Sequence, residues 1–169
     1  VCFVVGGGAT FGSRTGENIN SVRHLEDAMG NMPNGVYLGE LWENGKPFAT
    51  ISGDVRRQSA QTPSLEYYLF DVLRDLVVPP QTAYRGRYMG LRDNVSLMGH
   101  PQVHTAPVLD IQTVKRFHGS VEAYARSLTG ANGDLGYDGC IVRDPDAAWV
   151  PGRSKQGEII KVKPGIMET

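Results

Sequence analysis

Strand-length apolar runs recur along this chain without a regular alternation of strand and helix, and that irregularity is the tightest constraint on its fold. Residues 1–5 (VCFVV) are apolar and rich in β-branched side chains, as in a buried strand. Gly6–Gly8 read as a turn and Ala9–Arg14 as the returning strand of a hairpin. Val36–Trp42 and Lys46–Ile51 read as two more strands. Asn44-Gly45 between them is a hairpin signal, because both residue types tolerate positive φ. Tyr67–Leu73 (YYLFDVL) is a continuous run suited to the middle of a sheet. Val103–Leu109 reads as a strand that Pro107 confines to an edge. Cys140–Arg143 and Ile159–Val162 are the last two strands expected.

Helical patterns fall irregularly among these. Asn20 or Ser21 can cap a helix that ends near Met29, with Val22, Leu25, Ala28 and Met29 at helical spacing and Gly30 and Pro33 behind them. Tyr84–Met98 follows a break at Pro79-Pro80, and Ser120 can cap a helix to Leu128, with Glu122 in its first turn. Asn132-Gly133 and Gly136 read as a loop. A doubly wound sheet would require a βαβ rhythm that is missing. The expected class is therefore α+β, with mainly antiparallel sheets flanked by helices. No linker divides the chain, so residues 1–169 are expected to form a single domain, long enough to bury roughly 70% of its unfolded surface.

Net charge is −1, so nothing draws the whole molecule to a polyanion and any nucleic-acid contact must be a local basic patch. Cys2 and Cys140 are the two cysteines, too few for a disulfide framework; a reducing, cytoplasmic setting is expected. No apolar run reaches the length of a membrane span, so no membrane partner is expected. The opening lacks the basic start of a secretory signal. A chain that opens at Val1 in mid-strand, with no initiator Met, is expected to be a fragment or a processed product.

Five short segments carry chemistry. Ser13-Arg14-Thr15-Gly16 puts an arginine at a strand end, where it can bind a phosphate or sugar hydroxyl or simply be solvated. Gly39-Glu40-Leu41 sets a carboxylate inside an apolar strand. Alternation gives Glu40 one face with Leu38 and Trp42, where a charge is costly unless it is paired, binds a metal, or reaches the rim. Phe70-Asp71, alone, is core strand. Asp138-Gly139-Cys140-Ile141-Val142-Arg143 is an acid and a glycine leading into a short strand that ends on a base. Lys161-Val162-Lys163-Pro164 puts two ammonium groups on one face, which repel unless an anion such as phosphate lies between them; a solvated edge strand is the other reading.

In order and spacing, SRTG, GEL, YYLFDVL, DGCIVRDP and KVKP resemble the successive nucleotidyltransferase motifs of ATP-dependent DNA ligases, most of all the compact bacteriophage-type enzymes. GDVRRQ, at 53–58, is similar to the arginine-bearing segment that follows the third motif. The resemblance implies the DNA ligase and mRNA capping enzyme nucleotidyltransferase fold (ATP-grasp-like). It implies nick sealing in DNA replication and repair, in the host cytoplasm for a phage enzyme. Arg14 would contact the nucleotide's ribose or phosphate, and Phe70 would stack on adenine. Glu40 would bind ribose or help hold Mg²⁺, and Asp138 would be the second metal carboxylate. Lys161 and Lys163 would hold the α-phosphate and, with Arg14, form the catalytic set. Arg56 and Arg57 would touch nicked double-stranded DNA. ATP, as the source of AMP, and Mg²⁺ are the implied cofactors.

Departures from the family's pattern are specific. The family's Lys-x-Asp-Gly, whose lysine attacks ATP, is absent; Lys46, Lys115, Lys155, Lys161 and Lys163 all lack a following x-Asp-Gly. The resemblance puts that lysine before Val1, with Cys2 at the place of an arginine often found soon after. Leu38 stands where an acid usually precedes the Gly-Glu-Leu, and Asp138 where a glutamate is usual. A C-terminal oligonucleotide-binding barrel would begin where the chain stops. The expectation is a ligase core that cannot self-adenylylate alone. An RNA ligase or capping guanylyltransferase core shares the motif order, and a non-catalytic nucleotide-binding module fits the missing lysine. His100 and His104 have the spacing of a helical metal pair, but Pro101 between them and the lack of a third ligand favour packing or solvent roles.

Overall fold

The computed structural model describes residues 1–73, 82–129, 137–149 and 159–163, and the backbone of 166–168. The chain divides into two compact units, Val1–Ala106 and Pro107–Thr169.

The first unit is built on a six-stranded sheet. In chain order it contains β1 (Cys2–Val5), β2 (Gly8–Gly12), β3 (Asn18–Ile19), α1 (Arg23–Met29), β4 (Gly35–Trp42), α2 (Phe48–Val55), β5 (Glu66–Leu73), α3 (Tyr84–Met98) and β6 (Val103–Thr105). The strands lie in the order β3-β2-β1-β4-β5-β6, all antiparallel except β5 with β6. One sheet face supplies the core: Cys2 and Val4 of β1, Phe11, Tyr37, Tyr67, Leu69 and Val72, closed by Leu25, Ala28 and Met29 of α1 and by Leu91 and Val95 of α3. Phe3 and Val5, the alternate residues of β1, are exposed, so the sheet's other face lies open there.

The long elements fall where the apolar patterns put them; the differences have local causes. Lys46–Ile51 is not a strand. Gly45 does take positive φ, at 77°, but Pro47 then starts α2, whose buried residues Ile51 and Asp54 have helical spacing. Ser21 and Asn20 do not cap α1; Val22 holds that position, while Ser21 Oγ donates to the Val55 carbonyl at 2.7 Å and Asn20 Nδ2 to Gln58 at 3.1 Å. β2 ends at Gly12 rather than Arg14, because the chain turns to form β3. β6 is an edge strand as expected, but stops at Thr105, two residues before Pro107.

The second unit contains α4 (Ile111–His118), α5 (Val121–Thr129) and a three-stranded antiparallel sheet of β7 (Cys140–Arg143), β8 (Ile159–Lys163) and β9 (Ile166–Glu168), with β8 in the middle. α4 is not among the expected helices, although Ile111, Val114 and Phe117 fall at helical spacing. Asp110 caps it, accepting from Thr113 N at 2.9 Å and from the Thr113 hydroxyl at 2.6 Å. Ser120 caps α5 as expected, its Oγ accepting from Ala123 N at 3.0 Å. The expected loop at Asn132-Gly133 and Gly136 lies outside the described residues.

Candidate functional site

Glu40 and Phe70 belong to neighbouring strands, β4 and β5, and an irregularity in their pairing sets both. Leu38 pairs with Asp71 and Gly39 with Leu69, so Phe70 is the extra residue of a β-bulge. Bulges re-aim side chains, and Phe70 is half-buried while its neighbours Leu69 and Asp71 are fully buried. Its carbonyl accepts from Tyr84 Oη of α3 at 2.8 Å, which fixes the bulge from the helix side. Gly39 is required here by close approach: a Cβ would sit 2.6 Å from Tyr67 Cε1 and 2.6 Å from the Tyr68 carbonyl oxygen. Glu40 pairs with Tyr68 and is exposed, so solvent relieves the desolvation cost that its apolar strand neighbours suggested.

Arg14 stands two strands away from β4 in the sheet order, at the tip of the β2–β3 hairpin. Ser13 closes that tip. Its Oγ accepts from Glu17 N at 3.0 Å and its carbonyl from Gly16 N at 3.1 Å, with Gly16 at φ 91°. Arg14 is thereby held outward and exposed. Arg56 and Arg57 follow the end of α2 and are also exposed. Arg57 donates to Asp54 at 2.9 Å.

In the second unit, the pairing of Cys140 with Val162 brings Asp138 alongside β8. Lys161 Nζ lies 3.9 Å from Asp138 Oδ2, a loose pair in solvent, since Asp138 is 79% exposed. Lys161 and Lys163 flank buried Val162 and so share a face, as alternation requires. Asp138 thus supplies part of the negative charge that two neighbouring ammonium groups need. Gly139 takes φ 140°, and a Cβ there would collide with the Val162 carbonyl, so only glycine lets the chain cross so close to β8.

Sequence reasoning missed three groups. Asp71 and Arg87 form a buried bidentate pair, Nε to Oδ1 at 2.8 Å and Nη2 to Oδ2 at 3.0 Å, joining β5 to α3 beside Phe70. Their only signal was a charged residue at an apolar position in each of two elements. His104 Nε2 lies 2.8 Å from Glu66 Oε1 and its ring stacks on Tyr68 with centroids 4.7 Å apart. α3 ends at Met98 with Gly99 left-handed, so no helix passes through His100 and His104. The third group is the Glu43–Lys46–Asp54 cluster, where α2 meets the end of β4. Cys2 faces the core, and burial pushes its thiol up to about 12.

Among the described residues no group of three or more His, Cys, Asp or Glu is placed to hold a metal. Glu40 and Asp138 are exposed carboxylates, the ligand type that Mg²⁺ commonly takes together with substrate phosphates and water. Among the described residues no helix is long and apolar enough to cross a membrane.

No protein-family model matches the sequence, and no curated protein matches it. Solved structures do. The chain is similar to a structure named Pmar-Lig_PreS3, at 21% identity and a TM-score of 0.72 over 96% of this chain. It is also similar to the DNA ligase-adenylate of Chlorella virus, at 23% identity and a TM-score of 0.62 over 91% of this chain. It spans 39% and 56% of those two chains respectively. The fold is that of DNA ligase nucleotidyltransferase domains, α+β with mostly antiparallel sheets, as the motifs implied.

Proposed function

We propose that residues 1–169 form the nucleotide-binding core of an ATP-dependent DNA ligase. The observation that carries the reading is the agreement between motif order and fold: a chain whose segments resemble the ligase motifs has the fold of a ligase-adenylate. Phe70 stacks on the adenine, an aromatic contact contributing up to about 1.5 kcal/mol. Arg14 and Glu40 hold the ribose. Lys161 and Lys163 bind the α-phosphate, and in a ligase carrying the lysine they would stabilise the charge that develops as pyrophosphate leaves. Glu40 in the first unit and Asp138 in the second are each a candidate carboxylate for Mg²⁺, which would neutralise phosphate charge. In ligases of this type a lysine takes AMP from ATP as pyrophosphate leaves, AMP passes to the 5′-phosphate of a nick, and the 3′-hydroxyl displaces AMP to seal the strand.

The sequence has no Lys-x-Asp-Gly, so it lacks the amine that takes AMP in such ligases. Residues 1–169 by themselves are therefore a binder of ATP that forms no covalent adduct. Thermal unfolding with and without nucleotide tests this. A ligand that binds only the folded state stabilises it by about 2.7 kcal/mol at a hundredfold excess over Kd. ATP with Mg²⁺ raises Tm, GTP does so less, and mass spectrometry of the same sample shows the unmodified mass. A larger shift with GTP would move the reading to a capping guanylyltransferase, and an adenylated mass would refute the lysine assignment.

A further inference from the structure

Two carboxylates, one of them within the GDVRRQ segment, are buried where α2 meets the end of β4. Glu43, the residue after β4, is 2% exposed, and Asp54, in the last turn of α2, is 7% exposed. Lys46 lies between them: its Nζ forms an ion pair with Glu43 Oε2 and stands 3.5 Å from Asp54 Oδ2. Arg57 Nη2 donates to the other oxygen of Asp54 at 2.9 Å. The charged groups facing one another are thus Glu43 and Lys46 from the turn, and Asp54 and Arg57 from α2 and its end. Its contact with the Glu43 carboxylate holds Lys46 above its usual range. Burial pushes Asp54 upward, but the charges of Arg57 and Lys46 outweigh that and hold it low.

Two anions and two cations balance. Without Lys46, two neighbouring buried carboxylates would face one guanidinium, and like charges that close strongly disfavour joint ionisation. Arg57 is the cation at hand, and it would turn inward to serve both. With Lys46 present, Arg57 spends one Nη on Asp54 and keeps further N–H donors outward, its side chain 51% exposed. The segment behind it is tied down too. Gln58 accepts from Asn20 Nδ2 at 3.1 Å, and Gln61 donates to the Asn20 carbonyl at 2.7 Å.

We propose that Lys46 is a positioning residue: by neutralising the Glu43–Asp54 pair it keeps Arg57, beside Arg56, turned outward to contact a phosphodiester backbone. The proposal rests on the reading of those two arginines as DNA-binding residues. It is tested by binding the whole chain to a nicked duplex over a series of salt concentrations. The slope of log K against log salt falls by about 0.9 for each phosphate that the protein no longer neutralises. Lys46→Met lowers the slope by about 0.9, Lys46→Arg leaves it, and Glu43→Gln/Lys46→Met restores it, because one carboxylate then faces one guanidinium. The double variant is charge-balanced, so if Lys46→Met alone fails to fold while the double folds with the wild-type slope, the neutralising role stands. A reduced slope that persists in the double variant means Lys46 touches DNA itself and overturns the proposal, as does an unchanged slope in Lys46→Met. If the unaltered chain binds no nicked duplex, the DNA reading fails and this proposal with it. Binding with an unchanged slope in Lys46→Met sinks the proposal alone.

Discussion

Breaking the Asp71–Arg87 pair from one side costs far more than removing it whole. Arg87 and Asp71 are 1% and 0% exposed, and Arg87 Nη1 also donates to the Thr82 carbonyl at 2.7 Å while Asp71 Oδ1 accepts from Val72 N at 2.8 Å. Arg87→Met leaves a buried carboxylate with its cation gone, at a cost of about 3–5 kcal/mol. Asp71→Leu strands the guanidinium with a similar cost. In the double variant no uncompensated charge remains. Exchanging a buried ion pair for apolar side chains is often neutral or better, and removing the bonds to Thr82 and Val72 takes back about 1 kcal/mol each. The double variant should therefore lie within about 2 kcal/mol of the parent, although the singles sum to about 6–10. Urea unfolding reads this as a double-mutant cycle: with a slope of about 2 kcal/mol/M, each single shifts the midpoint by about 2 M and the double by about 1 M or less. Additive destabilisation would refute the reasoning, since it would mean that each side chain acts through partners other than its mate. Because the pair anchors β5 one residue beyond Phe70, either single variant should also weaken ATP binding under conditions where it remains folded.

Other outcomes follow from the same geometry. Gly39→Ala forces a methyl against the Tyr67 ring and the immovable Tyr68 carbonyl, so it should cost about 1–3 kcal/mol in urea unfolding; parent-like stability would mean that the bulge can open. The Cys2 thiol, fully buried and raised to about 12, should stay unmodified by a disulfide-exchange reagent at about pH 8 until the chain unfolds, while half-buried Cys140 reacts; two thiols reacting in the native protein would contradict this. Because burial raises the folded-state pKa of Cys2 and also of Tyr67, both contribute stability that is complete below their unfolded values and lost at higher pH. For Cys2 that window runs from about pH 9 to about 12, so the urea midpoint should fall with pH across it and Cys2→Ala should flatten the decline.

Legibility in the sequence follows the strength of local signals. β4, β5 and α3 are readable because each is a long patterned run. α2 is not, because Asn44-Gly45 is the same chemistry whether a strand or a helix comes next, and the buried acid Asp54 disguises the helix's inner face. α4 is only eight residues long, so its three apolar residues at helical spacing, Ile111, Val114 and Phe117, make too short a stripe to stand out. At the candidate site, the shared face of Lys161 and Lys163 follows from period two alone. The nearness of Lys161 to Asp138 needs the β7–β8 register, and the Phe70 bulge needs the β4–β5 register, neither of which a single sequence contains. The Asp71–Arg87 and Glu43–Lys46–Asp54 groups are tertiary pairings, visible in the sequence only as charges at apolar positions.

The central claim is that Phe70 and its neighbours form an adenine pocket, and calorimetric titration of the chain with ATP and GTP in the presence of Mg²⁺, beside a Phe70→Ala control, tests it most directly. The account predicts saturable binding of ATP in preference to GTP, weakened about tenfold or more in the control, the equivalent of about 1.4 kcal/mol. Equal ATP affinity in the parent and in Phe70→Ala would contradict it.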